Sequence, residues 1–207
     1  MIKYARITVI LLCVIIFIFL MNEVQNGKVL AFDEFISDRL AVEKNTYLFT
    51  FYKSITYLGS SIFIGFGSLL FILYLWMKKK DYMAIAVFSI GVAGGDLLKR
   101  GIKNLVQRER PENHLVHAAG FSFPSGHSMV GLIFFSMIAY FIIKEVKSKS
   151  LKWGVGISFI LLVLVIGISR IALKVHFPTD VLAGFVLGVG YSLTCLGLYQ
   201  WLERRVI

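Results

Sequence analysis

Long apolar blocks separated by short charged runs make up most of the chain. A helix needs about 20 apolar residues to cross the hydrocarbon core of a bilayer, where every backbone polar group must be satisfied internally. Six stretches meet that requirement, approximately residues 6–21, 55–77, 82–98, 127–143, 153–171 and 181–202. The first is short and follows Lys3 and Arg6, as in a secretory signal. Met21-Asn22-Glu23-Val24 offers no small-x-small cleavage site, however, so an uncleaved first helix is expected. Between the first two blocks, Phe32, Phe35, Ile36 and Leu40 recur at helical spacing while Asp33, Glu34, Asp38 and Arg39 take the other face. That pattern predicts a short helix, either lying on the membrane interface or packed on the protein's outer surface. Gly59, Gly65, Gly67, Gly91, Gly94, Gly95, Gly154, Gly156, Gly184, Gly188 and Gly190 are expected where helices pack closely.

Composition narrows the class. A soluble domain carries about 25% charged residues; this chain of 207 has 16%, with 57% hydrophobic residues and a mean hydropathy of +0.78. A soluble globular enzyme, a globular domain on one anchor and a disordered chain are all excluded. The expected fold class is an all-α polytopic membrane protein with six transmembrane helices, one integral domain spanning residues 1–207. Cys13 and Cys195 both fall within apolar blocks and read as free thiols.

The formal net charge of +10 divides by topology. With six spans, both termini share one side with the loops near residues 78–81 and 144–152. That side holds eleven basic residues, from Lys3 and Arg6 to Arg204 and Arg205, against Asp81, Glu145 and Glu203. The positive-inside rule makes it cytoplasmic, and Trp76, Trp153 and Trp201 sit at the same helix ends, at headgroup level. Without a long basic tract or zinc-finger spacing, no nucleic-acid partner is expected. No protein partner is readable.

Seven further basic residues break that rule. Lys99, Arg100, Lys103, Arg108, Arg110, Arg170 and Lys174 lie at outer helix ends, where charge is costly unless paired. An anionic ligand would pair them. Three patterns sit among them. Lys103 precedes Arg110-Pro111 by seven residues, and if the third span continues that far, both cations fall on one face two turns apart. Taken alone, this fits a charged helix end equally well. Pro124-Ser125-Gly126-His127 opens the fourth span; proline suits a first helical turn, leaving the N–H groups of Ser125, Gly126 and His127 as an anion nest. A plain helix cap reads the same. Ser169-Arg170 is followed by His176, Pro178 and Asp180, and the i, i+4 spacing lets Asp180 hold the His176 Nδ1–H and free Nε2 as a nucleophile. Such a pair is also found as a purely structural feature.

Together the patterns fit phosphoryl transfer through a phosphohistidine. His176 attacks phosphorus, Asp180 stabilises the imidazolium, and Lys103, Arg110, Arg170, Ser125 and the Gly126 amide hold the oxygens. His127 protonates the leaving group and then deprotonates water.

In order and spacing the three patterns resemble those of the type 2 phosphatidic acid phosphatase superfamily: Lys-x6-Arg-Pro, Pro-Ser-Gly-His and Ser-Arg-x5-His-x3-Asp. The match covers residues 103–180, and Thr56-Tyr-Leu-Gly-Ser60 also looks like family sequence. The resemblance implies a metal-independent lipid phosphatase without cofactors, with His176 as nucleophile, His127 as general acid and Lys103, Arg110, Ser125, Gly126, His127 and Arg170 around the phosphate. The most similar branch is the compact bacterial one acting on phosphatidylglycerophosphate or undecaprenyl diphosphate. By this reading the partners are a membrane lipid phosphate and the bilayer, in the plasma membrane, with the site on the extracytoplasmic face. Lys174 departs from the family, where many relatives have glycine; it is an exposed loop lysine or a recruiter of a more charged head group. His114 and His117 lack further ligands at metal spacing and read as a loop or substrate lip. Asp96 is expected to orient Lys99 or Lys103. A catalytically silent phospholipid-binding protein is the rival reading, and a transporter ranks below it.

Overall fold

The structure, a computed structural model, describes residues 2–26 and 31–206. It is all-helical, with α1 (Ile2–Gln25), α2 (Ala31–Leu40), α3 (Tyr47–Thr56), α4 (Ser61–Tyr74), α5 (Tyr82–Val106), α6 (Gly126–Glu145), α7 (Lys149–Ala172) and α8 (Pro178–Val206). Among the described residues six helical segments are long and apolar enough to span a bilayer: Tyr4–Gln25, Ser61–Lys79, Tyr82–Val106, Gly126–Glu145, Lys149–Ala172 and Pro178–Arg205. The protein is a multi-pass membrane protein. Its outward surface matches: Leu11, Ile15, Phe66, Leu69, Leu97 and Ile160 are each more than half exposed, an arrangement stable only in lipid.

At the centre stands α6, packed on α5, α7 and α8 around a core of Phe88, Ile133, Phe134, Met137, Phe141, Ile166 and Tyr199. Glycine allows the closest crossing. A Cβ at Gly184 would lie 2.7 Å from the Ser125 carbonyl oxygen and one at Gly188 3.0 Å from that of Met129, so α8 rests directly on the α6 backbone. By contrast, Gly65 and Gly154 face open space, so close packing does not account for them.

Helix α1 runs antiparallel along α8, with Cys13 against Gly190 and Arg6 Nη1 donating to Gln200 Oε1 at 2.8 Å. The start of α1 and the end of α8 therefore lie at one end of the bundle. That end is tied by the Lys79–Glu145 and Lys144–Glu203 ion pairs, and Tyr199 donates to Asp81 at 2.7 Å. The acidic residues of this face thus hold loops together.

Two local features depart from the sequence reading. The second span is not continuous from residue 55. After α3, residues 57–59 form a 3₁₀ turn, and Ser60 caps a new helix by accepting from the Phe63 N–H at 3.2 Å. The break seats Gly59 against His127 and Ile166, where a Cβ would come within 2.9 Å of both side chains. The expected short helix exists as α2 and packs against α7 and α8, but Asp33, alone of its charged residues, is turned inward. Asp33 is fully buried, whereas Phe32 and Phe35 are half exposed. The carboxylate finds strong donors inside, and the phenylalanines face outward.

Candidate active site

At the end of the bundle opposite the termini lies a cavity of about 750 Å³, lined at its head by Lys99, Lys103, Arg110, His127, Arg170 and His176. Five segments supply these six residues, with Lys99 and Lys103 both on α5. Helix α5 ends at Val106, where Gln107 turns left-handed (φ 52°) and its N–H closes on the Lys103 carbonyl at 2.9 Å. Lys103 and Arg110 are therefore not two turns apart on one helix, as the spacing predicts. Lys103 sits in the last turn and donates to the Phe121 and Ser122 carbonyls, while Arg110 arrives along the following loop.

The Arg110 guanidinium donates to the carbonyls of Gly120 at 2.8 Å and Val175 at 2.7 Å, and its Nη1 lies 3.2 Å from His176 Nε2. Guanidinium only donates, so Nε2 must be the acceptor and the ring proton belongs on Nδ1. There it faces Asp180 Oδ2 at 3.4 Å and Ser122 Oγ at 3.2 Å. Asp180 is fully buried and also accepts from the Ser122 hydroxyl, the Phe177 N–H at 2.9 Å and Arg108 Nη1 at 2.7 Å. Burial drives the His176 imidazole from its ordinary 6.5 down to about 3; Asp180 opposes the fall, and Arg170 and Arg110 add to it. At neutral pH the ring is an uncharged base with its lone pair on Nε2. Burial likewise lowers the Arg110 pKa, against the pull of Asp180.

Ser125 is the N-cap of α6, so Pro124 lies just outside the helix instead of in its first turn. The Ser125 N–H donates to the Asp180 carbonyl at 2.9 Å, and its Oγ accepts from Ser128 Oγ at 3.0 Å. Ser125 is fully buried and does not line the cavity; Gly126 and His127 do. Lys99 packs so tightly over Gly126 that a Cβ there would lie 2.8 Å from its side chain. Asp96 pairs with Lys99 and Arg100, and Lys103 has carbonyl partners instead.

Arg170 is 95% buried by its 5% exposure, and its Nη1 donates to Thr56 Oγ1 at 2.8 Å. Its Nε is buried without a partner among the described residues, a cationic donor at the cavity wall. His117 lies exposed at the rim and His114 is exposed in the loop. Lys174 has φ 56°, a left-handed conformation that costs a side chain about 1 kcal/mol and suits glycine.

The chain as a whole has counterparts among known proteins. The sequence profile of the PAP2 superfamily matches residues 82–205. The chain belongs to the PAP2 superfamily. It is 37% identical over 199 residues to phosphatidylglycerophosphatase B of Bacillus subtilis, covering 91% of this chain and 93% of that one. A provisionally named undecaprenyl-diphosphatase of Escherichia coli is 31% identical over 65% of this chain and 67% of its own. The crystal structure of a transmembrane PAP2 type phosphatidylglycerolphosphate phosphatase from Bacillus subtilis superposes with a TM-score of 0.82 at 31% identity, covering 92% and 96% of the two chains. As a PAP2 member with such relatives, the protein is a lipid phosphatase, and the silent-binder reading is set aside.

Sequence reasoning missed three contributors to this PAP2 site. Ser122 bridges His176 and Asp180, Thr56 holds Arg170, and Arg108 joins Asp180 to Asp33. The Thr56–Ser60 segment was a visible signal for one of them. Arg108 was visible among the basic residues that break the charge rule, but its carboxylate partners 72 and 75 residues away, and a serine in a loop, carry no local signal.

Proposed function

We infer that the protein removes a terminal phosphate from a lipid at the extracytoplasmic leaflet of the plasma membrane, through a phosphohistidine on His176 and without a metal. The observation that carries this reading is His176 itself, with Nδ1 backed by Asp180 and Nε2 turned to Arg110. The Nε2 lone pair forms the N–P bond as the P–O bond to the lipid breaks, and His127 supplies the proton for the departing oxygen. Water activated by His127 then attacks phosphorus, releasing inorganic phosphate and restoring the imidazole. Arg110, Arg170, Lys103 and the Gly126 amide stabilise the equatorial oxygens, performing the charge neutralisation that a metal performs elsewhere. Ser125 is not in the cavity wall; as the N-cap of α6 it holds the turn that presents the Gly126 and His127 amides.

Below the head of the cavity, a groove continues between α4 and α5 past Ser61, Gly65, Ser68 and Ser89. Small residues on both walls make room for a chain entering from the bilayer. Ser68 Oγ is buried without a partner among the described residues, seven residues or about 10 Å along the helix from Ser61. An ester carbonyl would satisfy that hydroxyl and a prenyl chain would not, favouring a glycerolipid such as phosphatidylglycerophosphate over undecaprenyl diphosphate. The test is phosphate release from both lipids and from phosphatidic acid, with EDTA present, by wild type and His176→Ala. Turnover is expected fastest on phosphatidylglycerophosphate, with an acid-labile phosphoenzyme that His176→Ala lacks. Turnover by His176→Ala would remove the nucleophile assignment, and preference for undecaprenyl diphosphate would reverse the substrate order.

A further inference from the structure

Behind His176 lies a buried chain of charge that the sequence patterns do not include. Arg108, 10% exposed, reaches two fully buried carboxylates: Nη1 lies 2.7 Å from Asp180 Oδ1 and Nη2 2.8 Å from Asp33 Oδ2. Asp33 comes from α2 and also accepts from the Thr179 N–H and hydroxyl, each at 2.8 Å. The Arg108 guanidinium stacks 4.1 Å from the centre of the Phe177 ring. The outer helix is thus tied, through one arginine, to the carboxylate that faces the nucleophile.

The charge count gives the tie a role. Arg108 alone would cancel Asp180 and leave nothing to balance the positive ring that forms when Nε2 is phosphorylated. Asp33 neutralises Arg108 in turn. Asp33, Arg108 and Asp180 with a neutral His176 carry a net charge of −1, and phosphorylation of the ring brings the cluster to zero. In a buried setting an uncompensated charge is strongly disfavoured, so this balance acts on the step that creates the cation.

We propose that Asp33 and Arg108 are positioning residues for the phosphatase reaction, with Asp33 acting as the counter-charge that keeps Asp180 available to the phosphorylated His176. The inference rests on the phosphohistidine reading. It requires no contact between either residue and the lipid, so it separates chemistry from binding. Asp33→Asn raises the cluster charge by one throughout and lowers kcat by on the order of ten- to a hundred-fold, with KM for the lipid within about two-fold. Arg108→Gln leaves two carboxylates without their shared cation and also lowers kcat. The double variant Asp33→Asn/Arg108→Gln restores the net charge of −1 and is expected to turn over faster than either single variant.

The experiment measures kcat, KM, phosphoenzyme yield and thermal unfolding for these three variants, wild type and His176→Ala. Recovery of kcat and phosphoenzyme in the double variant supports the counter-charge role. Additive loss in the double variant overturns it, because two residues that do not share a charge balance act independently. Should one single variant not fold, comparison of the double with the other single gives the same decision. Activity remaining in His176→Ala identifies failure of the underlying phosphohistidine reading instead.

Discussion

His176 shows how burial prepares a base. Its pKa of about 3, against an ordinary 6.5, means that the folded protein refuses a proton that the unfolded chain accepts. The group therefore leaves stability unaffected above pH 6.5 and lowers it progressively as pH falls from 6.5 towards 3. Thermal unfolding in detergent micelles is expected to show a falling midpoint across that window, flattened in His176→Gln. Retention of the full pH slope in that variant would place its source elsewhere. Thr56 makes a second case at the scale of one side chain. Thr56→Val removes the hydroxyl acceptor of Arg170 Nη1, leaving Nη1 as well as the buried Nε without a partner among the described residues. An unsatisfied buried donor costs about 1–3 kcal/mol, so kcat/KM is expected to fall roughly ten-fold as the arginine loses its fixed position. Unchanged kinetics would show that neighbouring packing alone holds Arg170.

Helices fix the site by where they end and how closely they cross. The motif residues lie at the last turn of α5, the cap of α6, the last turn of α7 and the approach to α8, so the site is assembled from helix termini. The crossing of α8 over the α6 cap sets their spacing. Gly184→Ala places a methyl against the Ser125 carbonyl oxygen, where a Cβ has only 2.7 Å, and must push the two helices apart. Both the unfolding midpoint and kcat are expected to fall, because Ser125 caps the turn that presents Gly126 and His127. Gly154→Ala, with open space around the new methyl, is expected to leave both unchanged or to raise the midpoint slightly through helix propensity. Equal effects of the two substitutions would refute the crossing as the determinant.

Across the whole molecule, one face is bound by lysine–glutamate pairs near the termini and the other gathers cations around the cavity. The proposed topology puts the first face in the cytoplasm, as the positive-inside rule predicts. A cysteine at His117, on the cavity rim, is expected to react in intact cells with a maleimide that does not cross membranes, and one at Lys80 only after lysis; Cys13 and Cys195 are replaced by alanine beforehand. The opposite labelling pattern would invert the topology and move the reaction to the inner leaflet.

Hydropathy alone determined the six spans, because apolar length is a local property that the bilayer reads directly. The charge surplus and the three motifs pointed to the candidate site for the same reason: each is a short stretch legible along the chain. Tertiary structure decided what depends on distant approach. It ended α5 before Arg110, broke the second span at Gly59 to admit His127, turned Ser125 inward as a cap, and exposed Phe32 while burying Asp33. At Gly59, Ser125 and Asp33, long-range partners outweighed the local pattern. For Asp33 those partners are Arg108 and Thr179, 75 and 146 residues away along the chain, and no periodicity within ten residues of helix α2 encodes them.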